Sequence, residues 1–145
     1  MHDKTGVRWM RVIIAGVLTE ASVVLLIVIV VTAYKYVVSP TEADYQMFAG
    51  RAGFYIGVFG GALAAFVFAL WVGRSLRAGF LVNGLLVGCV AALQHMGLMA
   101  ASKAEFELAY AVADALKLVG GALGGYVAQK SYSQSDTPVS ANRAA

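Results

Sequence analysis

Charge is scarce in this sequence: of 145 residues, 8 are acidic and 11 are lysine or arginine, together 13%. A soluble domain carries roughly twice that share, so a self-contained, water-facing globule is excluded. Cysteine is reduced to Cys89, which rules out a disulfide framework and a thiolate metal site. No HExxH, CxxC, P-loop or glycine-rich dinucleotide turn is present, and two histidines, His2 and His95, do not make a metal centre. Ser22, Ser75 and Ser102 have no base that spacing identifies. These absences point away from an enzyme and imply no cofactor.

Apolar residues fill the space instead, at 60% of the chain. They come in four blocks, Val12 to Tyr34, Phe54 to Val72, Gly79 to Ala101 and Leu108 to Ala128. Each approaches the roughly 20 residues that a helix needs to cross a bilayer. Barrel-type alternation is missing, so the blocks predict an all-α, integral-membrane four-helix bundle at 12–128. Residues 1–11 and 129–145 form the flanks, the latter small, polar and expected to be disordered. The first block is longer than a signal-peptide core and is expected to be retained.

The basic residues set an orientation. Lys4, Arg8, Arg11, Arg74, Arg77, Lys130 and Arg143 fall on one side, against Lys35, Arg51 and Lys103 on the other. The positive-inside rule then places both termini in the cytoplasm, as for a multi-pass inner-membrane protein. The net charge of +3 fits topology and anionic lipid better than nucleic acid. In the outer loop, 39-SPTE-42 predicts a capping box with Ser39 as N-cap, opening a short interfacial helix at about 40–49.

Small residues recur every fourth position in span two: Gly53, Gly57, Gly61, Ala65, Ala69 and Gly73. Gly84 and Gly88 repeat the spacing in span three, and Gly120 and Gly124 in span four. In lipid such ridges let backbones approach and gain dispersion contact, within one bundle or between subunits. The strings 60-GGALAAFV-67 and 120-GGALGGYV-127 also suggest a repeat of two hairpins.

Polar residues inside the spans are costly, and function is expected among them. Counting depth along each helix puts His95 and Asp114 at one level, with Lys117 one turn further in and Gln94 adjoining. Two readings of that group stand: glue between helices, or a proton relay. Glu20 falls at a different depth, level with Ala65, Val87, Gly88 and Gly120, with Asn83 the nearest polar residue. An acid there without a partner has to shed its charge, face water, or meet another subunit or a cation.

Two resemblances follow from these residues. The segment 15-AGVLTE-20 resembles the first span of the small multidrug resistance exporters, which implies proton-coupled export of cations with Glu20 as the exchanging acid. The segment 71-WVGRSLRAGFLVNGLLVG-88 is similar to uncharacterised small bacterial four-span proteins and implies no activity. The expectation that emerges is a structural or accessory membrane protein, homo-oligomeric or bound to another membrane protein, with Glu20-dependent transport as the competitor.

Overall fold

The computed structural model describes residues 6–102 and 108–135, all helix apart from short connections. Helix α1 is Trp9–Val38, α2 is Glu42–Tyr55, α3 is Gly61–Gly73, α4 is Phe80–Ser102 and α5 is Leu108–Ser135. A single π-helical turn, Ile56–Gly60, joins α2 to α3 without a break in direction, so the two make one continuous span. Four helices are thus long and apolar enough to cross a membrane, with mean hydropathy falling from 2.7 in the first to 1.3 in the last.

Continuity of α2 with α3 corrects the expectation of a separate short helix at 40–49. The N-cap is Thr41, whose Oγ1 accepts from the amide of Asp44 at 3.3 Å and donates to its carboxylate at 2.7 Å. Ser39 cannot fill that role because α1 already uses it. At φ 49° it closes α1 in the left-handed conformation, its amide donating to the Lys35 carbonyl at 3.2 Å. Ser39 thus serves as the stop of α1, and Thr41 opens α2. The loop is held by Tyr34 stacked on Phe48, centroids 3.8 Å apart, and by Lys35 5.5 Å above the Tyr45 ring.

Helix α5 packs most extensively, against α3 and α4 together, while α1 leans on α3 and α4 and barely touches α5. The cause is the doubled glycine of 120-GGALGG-125. Gly120 and Gly124 admit the carbonyls of Ala62 and Phe66 on α3; Gly121 and Gly125 admit those of Gly84 and Phe80 on α4. Two glycine ridges one residue apart let a single helix approach two neighbours, where dispersion contact supplies the association that hydrophobicity cannot. The two similar strings therefore cross each other, in parallel helices. Gly16 lies against Val90, and Gly88 against the Lys117 carbonyl, where an added Cβ would lie 2.6 Å away.

The ridge of span two divides. Gly61, Ala65, Ala69 and Gly73 are buried in the bundle, but Gly53 and Gly57 have nothing within 4 Å of where a Cβ would stand. Their expected packing role within the chain is thereby corrected: α5 fills the half of that face from Gly61 to Gly73 and not the half before it. The filled half, towards the end of the bundle where α1 begins, is the inner half, and the other is the outer half.

At the end of the bundle where α1 begins, Val12, Val72, Leu76, Phe80 and Val87 form an apolar core. The basic Arg8, Arg11, Arg74, Arg77 and Lys130 gather at that same end, where Gly73 meets Ala128 and Phe80 meets the Tyr132 ring at 5.6 Å. These contacts also extend α5 through 129–135, expected as tail; residues 136–145 lie outside the described residues.

Candidate functional site

Lys117 has the largest fully buried side chain of the described residues, at 1% exposure. It crosses the bundle because the helix beside it carries glycine: a Cβ on Gly61 would stand 2.8 Å from the lysine Cε. The aliphatic stem slides past that gap, and Nζ arrives 2.5 Å from Glu20 Oε1 on α1. The contact is an ion pair without the alignment of a hydrogen bond. Glu20 is itself only 4% exposed.

This corrects the separation of Glu20 from the other polar residues. Depth counted on Cα positions placed it beside Gly120, one turn from Lys117, and left out the four-carbon stem that spans the turn. Glu20 does meet a cation, one from its own chain. Asn83 is not its partner. Its Oδ1 accepts from the Arg8 amide at 3.0 Å and its Nδ2 donates to the Gly79 carbonyl at 2.9 Å. A residue of α4 thus caps α1, whose own N-cap Arg8 makes no side-chain cap.

From Lys117 the chain of contacts continues outward. Nζ donates to Asp114 Oδ1 at 3.1 Å, and the same oxygen lies 2.8 Å from His95 Nδ1 on α4. The pairing of His95 with Asp114 expected from depth is present, with Lys117 beside it. A carboxylate only accepts, so the ring nitrogen facing it is the donor, N–H on Nδ1. The order is Glu20, Lys117, Asp114, His95, joining α1, α5 and α4. Gln94 does not join: its Oε1 is buried and has no partner among the described residues. Thr19, next to Glu20, is fully buried and spends its hydroxyl on the Ala15 carbonyl at 2.9 Å.

Exposure rises along the series, from the closed Glu20–Lys117 pair to side-chain values of 16% for Asp114 and 21% for His95. His95 lines a cleft of about 560 Å³ between α2, the π-turn and α5, with Phe54, Gly57, Val58, Tyr110 and Ala113. The cleft is deep because Gly50, Gly53 and Gly57 put no side chain into it. Sequence reasoning did not find Phe54, Tyr110 or the cleft. The signal that was available was the unfilled outer half of the ridge, and it becomes legible only once the inner half is seen to be occupied. Among the described residues no group of three or more His, Cys, Asp or Glu is placed to hold a metal.

Fold and site together define a helical bundle with membrane-spanning dimensions, locked by a buried ionic series. Compared with known proteins, the chain matches no family model, no curated protein and no solved structure.

Proposed function

We propose that this is a structural or accessory protein of the inner membrane, both termini cytoplasmic, that associates with a second copy through the outer half of span two. One observation carries the reading. Gly84, Gly88, Gly120 and Gly124 are each closed against backbone, whereas Gly50, Gly53 and Gly57 meet nothing within 4 Å. A ridge of that spacing is the shape a lipid-embedded helix packs against. The gathering of basic residues at one end of the bundle supports the cytoplasmic placement of the termini.

The competing reading, proton-coupled transport through Glu20, requires that carboxylate to open to water. Its burial against Lys117 favours the assembly role. Native mass spectrometry of protein released from lipid nanodiscs tests the association: the wild type is expected as a dimer and Gly53→Leu as a monomer. A monomeric wild type, or a Gly53→Leu variant that stays dimeric, refutes it.

A further inference from the structure

The buried series does not balance its own charge. With both carboxylates ionised, Glu20 and Asp114 bring two negative charges and Lys117 one positive, so neutrality needs one more cation or a proton on one of the carboxyls. His95 is the remaining ionisable member, and it balances the set only when its ring carries a second proton. Within a bundle of membrane-spanning helices an uncompensated charge is expensive. Among the described residues, the groups facing His95 are few. From α5 they are Asp114 and Tyr110, whose ring stands edge-on 5.8 Å from the imidazole. From α1 only Glu20 enters the series, through Lys117. From α2 and the π-turn the lining residues are Ala49, Gly50, Gly53, Phe54, Gly57 and Val58, none ionisable. Arg51, on the same helix, is exposed and lines no part of the cleft.

With Nδ1–H given to Asp114, the neutral imidazole has its accepting lone pair on Nε2. That nitrogen has no hydrogen-bond partner among the described residues, and the ring forms a wall of the cleft. A proton on Nε2 neutralises the series. So does an ammonium group whose N–H donates to the same lone pair. The two exclude each other.

We infer that the cleft binds a protonated amine with a compact apolar or aromatic body, its N–H donating to His95 Nε2 and its arrival displacing the proton from that nitrogen to solvent. Phe54 and Tyr110 offer ring faces for the cation and its body, and the three glycines leave the volume. Glu20 takes no part in the exchange; it holds Lys117, which positions Asp114, which orients the ring. The inference shares the Gly50–Gly57 face with the proposed assembly and adds to it the charge count and the Nε2 acceptor; amine binding without a dimer, or a dimer without amine binding, tells the two apart.

The test uses the full chain in phosphatidylcholine nanodiscs and three probes: benzylammonium, benzyltrimethylammonium, which keeps the charge without an N–H, and benzyl alcohol, which keeps the body without the charge. Calorimetry in buffers of different ionisation heat counts protons released, and histidine ring nitrogen NMR reports the site, with His95→Phe separating its signal from that of His2. Benzylammonium is expected to bind saturably, shift the His95 signal and release up to one proton. Its affinity should fall about tenfold per pH unit once the ring is protonated, as one-proton linkage requires. The trimethyl probe is expected to bind at least tenfold more weakly, and the alcohol not to shift the signal. Equal binding of the alcohol, or proton uptake on binding of benzylammonium, each overturns the inference. So does unchanged binding to His95→Phe. If that variant does not fold, the three probes on the wild type decide alone.

Discussion

The two halves of span two carry the same ridge and meet opposite fates. On the inner side, Gly61, Ala65, Ala69 and Gly73 are buried where the ridge faces α5 and its lysine. On the outer side, Gly50, Gly53 and Gly57 front an open cleft. The difference lies in the partner. Helix α5 presents glycine where it faces α3, at Gly120 and Gly124, but Ala109, Ala113 and the large Tyr110 where it lines the cleft of the outer half. Close approach in lipid needs small residues on both helices, and a ridge on one is only half of a contact. Between the two regimes sits the π-turn Ile56–Gly60. Its wider turn shifts the register by one residue, so the outer glycines no longer continue the line that packs on α5.

The largest effect should come from the boundary between the halves. Lys117→Met leaves two buried carboxylates without their cation, and a broken buried ion pair costs about 3–5 kcal/mol. Unfolding in mixed detergent micelles should show the variant largely unfolded, and adding Glu20→Gln should restore part of the loss. Equal stability of wild type and Lys117→Met would mean that the series does not hold the bundle.

Next comes the direct contrast of glycines. Gly121→Ala pushes a methyl into the Gly84 carbonyl and should cost about 1–3 kcal/mol, whereas Gly57→Ala, facing open space, should stay within about 0.5 kcal/mol of wild type. Similar losses for the two would dissolve the distinction between filled and open halves.

A smaller effect is expected from the outward end of the ionic series. Asp114→Asn and His95→Leu should each destabilise, and the double variant should lose less than the singles combined, with a coupling of about 0.5–3 kcal/mol. Strict additivity would show that the 2.8 Å contact does not persist in the membrane.

The smallest is at the start of the outer half. Thr41→Ala removes the cap of α2 and should cost about 1 kcal/mol, while Ser39→Gly, relieving a positive φ, should be neutral or stabilising. A loss from Ser39→Gly and none from Thr41→Ala would return the cap to Ser39.

Much of this architecture is legible in the sequence, for identifiable reasons. Hydropathy reports a whole helix at once, so the blocks around Val12, Phe54, Gly79 and Leu108 mark spans without knowledge of their neighbours. Depth alone brings His95 and Asp114 together because both have short side chains, for which depth along the helix nearly equals depth in space. Lys117 defeats that shortcut, because its charge lies a full side-chain length from its Cα and crosses to α1 through the gap at Gly61. The capping site is hidden from the sequence for a related reason. Ser39 fits a start signal locally, and only the length of α1 shows that it serves as a stop. The cleft could not be read at all, since it arises where two helices fail to match.

The pairing of Glu20 with Lys117 also bears on how the protein is made. About a hundred residues separate the two, and ribosomes add roughly 5–20 residues per second, so the first span waits some 5–20 s before its counter-charge is synthesised. Throughout that interval Glu20 stands in the most apolar helix of the chain without its native partner. The span that rescues it is the least hydropathic of the four and itself carries Asp114 and Lys117. Closure of the Glu20–Lys117 pair therefore waits on the last helix, and a chain that ends before Lys117 keeps Glu20 without the cation that it meets in the complete bundle.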